Sequence, residues 1–367
     1  MYIEKLYVST FRCYKQSFVG FKKGLNIVAG DNAIGKTTLV EAIHTLCLAK
    51  SFRAKADAEM IQYNADKFVI KGEFSDGKSK KTVILLYSNN LKRIKVDNEF
   101  VKTLGNYVGN LPVVCYSPSN IMFFLSGSLF RRKFINTMLC QLSREYLFVS
   151  NEYNKILKER NALLKIMQQD SSVRNKTLLD TLTERLIVEG NKIIDMRCSF
   201  VNNINNVLDG TYKRMFGSFD ELKLVYLPSV EKKEFCEKTK ALYYEEVKKG
   251  TTQYGPHKDD YIFIINNKNI GEYGSQGQQK AALLCVKIAL SEMFCKEKKV
   301  SPIVLLDDVF GELDASKQNK LLSLFQNVKQ VIMTTTTLSD IDKKMLINAN
   351  VIYLNEKEET QHGRKWN

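Results

Sequence analysis

Residues 30–37 read Gly-Asp-Asn-Ala-Ile-Gly-Lys-Thr, which has the glycine, lysine and threonine spacing of a phosphate-binding loop. An apolar run at residues 25–29 precedes this loop, and a helix-forming stretch at residues 38–48 follows it. This order of strand, glycine-rich loop and helix is typical of α/β folds. Backbone N–H groups of such a loop close on phosphate oxygens, and the positive end of the helix dipole favours the same anion. The sequence therefore predicts a site for a nucleoside triphosphate.

The loop pattern gives individual residues distinct roles. Lys36 is expected to reach the β and γ phosphates and to take part in catalysis, and Thr37 is expected to offer its hydroxyl to Mg²⁺. The residues expected to surround the nucleotide are Gly30, Asp31, Asn32, Ala33, Ile34, Gly35, Lys36, Thr37 and Thr38.

Two carboxylates, Asp307 and Asp308, follow a second apolar run at residues 302–306. Ligands bind at the carboxyl ends of strands in open α/β sheets. We expect Asp307 to be the Mg²⁺ partner of Thr37, directly or through water. Asp308, on the other side of the strand, is expected to orient or deprotonate an attacking water. Related ATPases usually carry Glu at that position, so the shorter Asp308 predicts slow hydrolysis.

Residues 274–280 read Gly-Ser-Gln-Gly-Gln-Gln-Lys and open another helix-forming stretch, whose first N–H groups offer a second anion site. Taken alone, the segment is better interpreted as an ordinary N-cap by Ser275. Its place shortly before Asp307, however, resembles the signature motif of ABC-type ATPases, which contacts the γ-phosphate bound to a partner subunit. The resemblance implies a homodimer that closes on two nucleotides. The residues implied to bind the partner's nucleotide are Ser275, Gln276, Gly277 and Gln278.

The chain of 367 residues carries a formal net charge of +15 at pH 7. This excess suits nucleic acid, although an anionic membrane surface or a generally soluble basic surface also fits. The eight cysteines include no C-x-x-C pair and indicate buried thiols in a reducing cytosol, and the three histidines argue against a histidine-based zinc site. No signal-peptide pattern and no run of about 18 apolar residues occurs. We therefore expect a cytoplasmic protein that does not enter the membrane.

Changes in pattern along the chain predict four segments. Strand signals dominate residues 1–128, which we assign to the first half of an ATPase head with the phosphate-binding loop. Helical spacing of apolar residues marks 129–250 as an inserted helical arm, with legs of at most about 40 residues that reach about 60 Å. The second half of the head, with the signature and the acidic strand, spans 251–354. Residues 355–367 form a charged tail that we expect to be poorly ordered.

Further motifs make the resemblance narrower. In chain order they are Phe11-Arg12-Cys13-Tyr14, Leu39-Val40-Glu41-Ala42-Ile43, Ser51-Phe52-Arg53, Tyr116-Ser117-Pro118, Arg131-Arg132, Gly255-Pro256-His257-Lys258-Asp259-Asp260 and residues 305–314. Together with the loop and the signature, they resemble the RecF family of DNA replication and repair proteins, which are relatives of the SMC ATPases. The resemblance implies an α/β fold, an ABC-type ATPase head with an antiparallel β subsheet and a short helical arm inserted between its two halves.

The same resemblance implies a weak, DNA-stimulated ATPase of recombinational repair that uses ATP and Mg²⁺. Its family dimerises on ATP, binds junctions of single-stranded and double-stranded DNA, and acts with RecO and RecR to load RecA at gaps. Some positions depart from the family pattern: Ser119-Asn120 replaces an acidic pair, and Gly311 replaces a serine. Glu312 and Asp314 therefore remain the candidates for contacts across the dimer.

The roles of the threonines at 334–337 and of His257 stay open. The threonines at 334–337 stand where ABC transporters carry a switch histidine, and a hydroxyl there is limited to orienting water or the γ-phosphate. His257 is as consistent with a turn histidine held by hydrogen bonds as with a functional group.

DNA contacts need only cationic side chains on one face and no base-reading motif. The candidate clusters are Lys50/Arg53/Lys55, Lys78/Lys80/Lys81 and Arg131/Arg132/Lys133.

Two other function classes share part of the pattern. The nucleotide-binding subunit of a membrane transporter would carry the same loop, signature and acidic strand. The helical insertion, the missing switch histidine and the Ser-Gln-Gly-Gln signature argue against it. A nuclease would need an acidic metal-binding domain after Asp314, for which we see too few residues.

Overall fold

The computed structural model describes residues 1–170, 175–217, 220–339 and 341–354, so the tail at 355–367 lies outside the described residues. The strands, in chain order, are β1 (Tyr2–Phe11), β2 (Tyr14–Gly20), β3 (Gly24–Ala29), β4 (Lys67–Ser75), β5 (Lys80–Ser88), β6 (Leu91–Val96), β7 (Glu99–Phe100), β8 (Val113–Tyr116), β9 (Leu222–Leu227), β10 (Asp260–Ile265), β11 (Lys268–Asn269), β12 (Ile303–Leu306), β13 (Gln330–Thr335) and β14 (Asn350–Tyr353).

The helices vary widely in length. In chain order they are α1 (Lys36–Leu48), α2 (Met122–Leu125), α3 (Ser128–Leu142), α4 (Arg144–Gln169), α5 (Lys176–Phe216), α6 (Phe235–Ala241), α7 (Tyr243–Lys249), α8 (Ile270–Tyr273), α9 (Gln276–Lys296), α10 (Ala315–Leu324) and α11 (Lys343–Ile347). The longest, α5, has 41 residues, close to the expected limit for a leg of the arm.

The described residues form two compact units. The first unit holds residues 1–120, 213–217, 283–339 and 341–354, and the second holds 121–170, 175–212 and 220–282. The expected segment boundary after residue 128 therefore falls inside the second unit, and the division before Leu283 falls inside α9. The four-segment assignment stays a prediction. In the part of the chain that the structure describes, no helix combines the length and the apolarity needed to cross a membrane.

The first unit contains two sheets that enclose α1. One is a five-stranded, parallel sheet in the order β14-β3-β13-β12-β8. The other is six-stranded and antiparallel, in the order β2-β1-β4-β5-β6-β7. Every residue of α1 from Thr38 to Leu48 is buried, which is typical of a helix covered on all sides. The antiparallel subsheet expected from the sequence is thus confirmed.

Asparagine-rich turns fix the register of two hairpins. Asn89 and Asn90 connect β5 to β6 with φ of 50° and 58°, and Asn266 and Asn267 connect β10 to β11 with φ of 48° and 65°. Two successive residues with positive φ are what a tight hairpin requires, and asparagine tolerates that conformation.

The second unit packs helices against the sheet β11-β10-β9 around a buried ion pair. Arg197 on α5 donates to Asp259 Oδ2 at 2.6 Å and to the carbonyl of Pro256 at 2.7 Å. The other carboxylate oxygen, Asp259 Oδ1, accepts the backbone N–H of Ser229 at 2.9 Å, and Tyr226 donates its hydroxyl to Oδ2. A buried charge is tolerated when it is paired and its remaining hydrogen-bond sites are filled, as here.

Arg197→Leu is expected to lower the free energy of unfolding by about 3–5 kcal/mol, because the substitution leaves the Asp259 carboxylate buried without its cation. Lys232→Ala is the control. It removes one member of the exposed Lys232–Asp195 pair and should cost less than about 1 kcal/mol. Chemical denaturation of both variants measures the difference, and equal losses would contradict the central role of the buried pair.

Candidate nucleotide site

The glycine-rich loop leaves β3 at Ala29 and enters α1 at Lys36. Gly35 has φ of 110°, and a Cβ atom there would lie 2.7 Å from the Tyr14 hydroxyl oxygen. Glycine is therefore required at this position by both backbone conformation and space. Lys36 turns back over the loop, and its Nζ donates to the carbonyl oxygens of Gly30 and Asp31, each at 2.7 Å. The loop is thus closed around the ammonium group that is expected to meet phosphate.

Thr37 and Asp307 meet at the carboxyl edge of the parallel sheet. The Thr37 hydroxyl donates to Asp307 Oδ1 at 3.0 Å, although the two residues are 270 positions apart. Asp307 is buried at the end of β12, which lies one strand away from β3 with β13 between them. Burial raises the pKa of Asp307, and the nearby Asp308 adds to that increase. A hydroxyl and a carboxylate oxygen are hard ligands of the kind Mg²⁺ prefers.

Thr334 is a site residue whose role the sequence left open. It lies on β13, and its hydroxyl donates to Asp307 Oδ1 at 2.9 Å. The oxygen of the same Thr334 hydroxyl accepts the backbone N–H of Asp308, also at 2.9 Å. Thr334 thus orients the Asp307 carboxylate. The available signal in the sequence was the apolar run that ends just before Thr334.

Asp308 differs from its neighbour in both exposure and conformation. Its side chain is exposed, and its φ of 51° lies in the left-handed region. Such strain in a residue other than glycine persists where surrounding contacts hold it, here through the N–H bond to Thr334. The charge of Asp308 opposes the fall that burial causes in the pKa of Lys36, so the exposed carboxylate lies near the loop.

Glu41 joins two of the motifs noted in the sequence. Its buried carboxylate on α1 accepts hydrogen bonds from Arg12 Nη2 at 2.9 Å, from Arg53 Nε at 2.8 Å and from the Ser51 hydroxyl at 2.5 Å. Burial raises the pKa of Glu41, but these hydrogen bonds outweigh burial and hold the pKa below its usual value. Arg53 also donates to the Thr38 hydroxyl at 3.1 Å, so the cluster braces the first turn after the loop.

The signature segment lies in the second unit, where it forms a capping box. The Ser275 hydroxyl accepts the N–H of Gln278 at 3.2 Å, and the Gln278 side chain accepts the N–H of Ser275 at 3.0 Å. Ser275, Gln276 and Gly277 are exposed. The N-cap interpretation therefore describes the isolated chain, in which the Gln278 N–H is bonded to Ser275.

Other candidates from the sequence have structural partners. His257 is held between the Tyr153 hydroxyl at 2.7 Å and the Thr252 carbonyl at 3.3 Å, and burial lowers its pKa to about 4. These contacts favour the interpretation as a turn histidine. Asp314 caps α10 by accepting the Lys317 N–H at 2.9 Å. The Glu312 side chain lies outside the described part of the chain.

Several cations proposed for DNA contact are also engaged. Arg131 donates to both carboxylate oxygens of Asp260, at 2.6 and 2.7 Å, and Arg132 donates to the Asp259 carbonyl at 2.6 Å. Arg53 is tied to Glu41, as described above, and Lys80 pairs with Glu4 at 2.9 Å. The three predicted clusters are therefore only partly available to phosphate.

The family model for the RecF/RecN/SMC N-terminal domain matches residues 2–361. A protein from Bacillus thuringiensis (strain Al Hakam) named DNA replication and repair protein RecF is 35% identical over 364 residues, which cover 96% of this chain and 97% of that protein.

Solved structures agree with this match. The recombination mediator protein RecF bound to ATP, of the RecFOR pathway, superposes with a TM-score of 0.86 at 29% identity and covers 93% of each chain. An Smc head bound to the C-terminal winged-helix domain of ScpA shares the fold, with a TM-score of 0.52 at 13% identity over 96% of this chain and 94% of that chain. The family model and the relatives match nearly the whole chain, and the fold agrees with them. This chain therefore belongs to the RecF family of DNA replication and repair proteins.

Proposed function

We propose that this chain is an ATP-binding and ATP-hydrolysing switch that binds DNA during recombinational repair and replication. The observation that carries the proposal is the 3.0 Å contact between Thr37 and Asp307, which unites the glycine-rich loop with the acidic strand. A solved RecF relative contains ATP, which supports the same ligand here. The transporter alternative is not favoured, because the full-length relatives are DNA replication and repair proteins.

The residues that hold the nucleotide have separable tasks. The loop from Gly30 to Thr38 wraps the phosphates, and Lys36 exchanges its bonds to Gly30 and Asp31 for phosphate oxygens. Thr37 and Asp307 would hold Mg²⁺, which neutralises charge on the phosphates when bound. The described residues contain no group of three or more His, Cys, Asp or Glu side chains placed for a metal, which suits an ion shared with phosphate oxygens. Asp308 orients or deprotonates water.

We place the second half of each site on another copy of the chain. The exposed residues Ser275, Gln276 and Gly277, together with Gln278, offer N–H groups at a helix start to a phosphate held by another subunit's loop. ATP is then a ligand of the closed homodimer, and hydrolysis or release reopens it. Binding to DNA junctions, cooperation with RecO and RecR in loading RecA, and a cytoplasmic location complete the proposal.

Thr334→Val is expected to raise the Mg²⁺ concentration needed for ATP binding by about 10-fold, because loss of a group that orients a metal ligand typically costs 10–100-fold in affinity. Asp307 must be ionised to bind a cation, and losing the Thr334 donor raises its pKa further. The acidic limb of Mg²⁺-dependent binding should therefore move to higher pH. Thr334→Ser keeps the hydroxyl and should behave like the wild type. Titration of Mg²⁺ with a fluorescent ATP analogue at several pH values checks this, and identical curves for Val and Ser would contradict it.

Asp308→Asn is expected to bind ATP normally while its turnover falls at least about 100-fold, the usual contribution of a general base. The closed dimer should then accumulate. Asp66→Asn, which changes an exposed carboxylate outside the site, is the control and should turn over like the wild type. Phosphate release and sedimentation with ATP measure both properties. Unchanged turnover would remove Asp308 from the reaction.

Mixing two inactive variants tests the composite site. Lys36→Ala disables the loop and Ser275→Arg disables the signature, so each homodimer should lack turnover, whereas a mixed dimer keeps one complete site. An equimolar mixture should regain about a quarter of wild-type turnover if subunits exchange freely between twofold dimers. Lys36→Ala mixed with Thr37→Ala is the matched control, because both lesions fall in the same half. Failure of the first mixture to exceed the control would overturn the two-chain site.

DNA binding is tested separately by ATP turnover and oligomeric mass with and without gapped duplex DNA. We expect the DNA to increase turnover, and its affinity should fall steeply as salt rises, because phosphate contacts release counterions. Turnover that ignores gapped DNA, together with no detectable DNA binding at low salt, would refute the DNA-binding function.

A further inference from the structure

The outward face of the six-stranded sheet has an unusual composition. The inner positions of its strands, such as Ile70 and Leu85, are buried against the core of the first unit. The positions that alternate with them are intermediate or exposed, as the strand period of two requires. Large aromatic side chains nevertheless occupy several of these outward positions, and two of them are markedly exposed: Phe18 at 47% and Phe100 at 60%.

Strand register places these aromatic residues in one line across the sheet. Starting from β2 and ending at β7, the directly paired residues are Phe18, Tyr7, Lys71, Ile84, Lys95 and Phe100, which we call the aromatic row. Adjacent strands lie about 4.8 Å apart, so the row extends about 24 Å. Rings stand at both ends of the row, and lysines stand between them.

Contacts within the row hold its side chains in place. Lys95 Nζ lies 4.5 Å from the centre of the Phe100 ring, a cation–π contact. At the other end, Gln16 Nε2 donates to the Tyr7 hydroxyl at 2.6 Å. The exposed Phe100 ring is thus supported without being covered.

The neighbouring outward positions add positive charge. Arg93, on β6, pairs with Leu86, whose other neighbour is Val69. The cationic side chains at outward positions of β1, β4 and β6 are Lys5, Lys67, Lys71, Arg93 and Lys95. The acidic ones are Glu73, which pairs with Lys5 at 2.9 Å, and Glu4, which pairs with Lys80 of β5 at 2.9 Å. The face is therefore both aromatic and cationic.

We infer that the aromatic row binds the unpaired strand of DNA by stacking its rings on bases while the lysines and Arg93 contact phosphates. Aromatic side chains in a positively charged groove are the usual means of binding single strands without sequence preference. Duplex DNA keeps the faces of its bases stacked and offers the rings nothing to stack on, so the occupant is a single strand. A protein partner fits less well, because the cores of protein interfaces are depleted in lysine. The inference rests on the proposed DNA-binding function and gives it a surface for the single-stranded side of a junction.

Affinity for two DNA probes tests the surface with the full chain, ATP and Mg²⁺ present. The probes are a fluorescein-labelled 30-nucleotide poly-dT strand and a 30-base-pair duplex at the same salt concentration. The double variant Phe18→Ala/Phe100→Ala should lose at least about tenfold in affinity for poly-dT, the scale of lost stacking, and keep its affinity for the duplex. Tyr63→Ala/Tyr244→Ala, which removes two exposed rings elsewhere, is the matched control and should bind both probes like the wild type.

A leucine variant separates stacking from simple apolar contact. Phe18→Leu/Phe100→Leu keeps apolar side chains but no π face, so it should lose poly-dT affinity as the alanine variant does. Full poly-dT affinity in the leucine variant would show that apolar contact suffices without stacking and would overturn the inference. Equal losses for poly-dT and duplex, or the same loss in the control variant, would overturn it as well.

A fluorescence measurement reports stacking directly. Phe100→Trp in a Trp366→Phe background leaves a single tryptophan in the row, because Trp366 is the one natural tryptophan of the sequence. Saturating quenching by poly-dT, but not by the duplex, is expected, and no quenching would overturn the inference. If the wild type binds neither probe, the proposed DNA-binding function is contradicted. If the wild type binds a gapped junction and all variants of the aromatic row bind it with the same affinity, only the inference about the aromatic row is contradicted.

Discussion

The site depends on one carboxylate held between two threonines. Asp307 Oδ1 accepts the hydroxyl of Thr37 at 3.0 Å and the hydroxyl of Thr334 at 2.9 Å. These three residues come from distant parts of the chain, and the parallel order β3-β13-β12 brings their strand ends to the same edge. A buried carboxylate without partners would be protonated or destabilising, so the two donors are what allow the Asp307 carboxylate to be kept there.

Two further buried acids organise the rest of the structure in the same way. In the first unit, Glu41 draws Arg12 and Arg53 onto α1 and thereby fixes the turn that follows the glycine-rich loop. In the second unit, Asp259 collects Arg197 together with the N–H of Ser229. Each acid is satisfied by donors from separate segments, and removing one donor leaves a charge that cannot return to water. This explains why several charged residues of motifs that are scattered in sequence are paired with one another.

Local patterns in the sequence predicted the elements that carry strong signals. The apolar strands β3 and β12 lie where they were expected. Several strands were not predicted individually, among them β2, which is a polar edge strand, and β8, which has only four residues. The contact of Thr334 with Asp307 escaped because it depends on which strand lies between β3 and β12, and sheet order is a property of long-range pairing. The same reason explains Arg131, whose partner Asp260 is 129 positions away.

The signature segment shows why a nucleotide can act as a switch in the proposed dimer. Ser275 and Gln278 satisfy each other's N–H groups in the isolated chain, and an N-cap contributes about 1 kcal/mol. A phosphate oxygen that accepts the N–H groups at the start of α9 forms charge-assisted bonds, which are roughly twice as strong as neutral ones. In the proposed dimer, the γ-phosphate would displace the cap at small cost, and the cap would close again once that phosphate is lost. The energy difference between these two arrangements would be small, so the state of the proposed dimer would follow the presence of a single phosphate group.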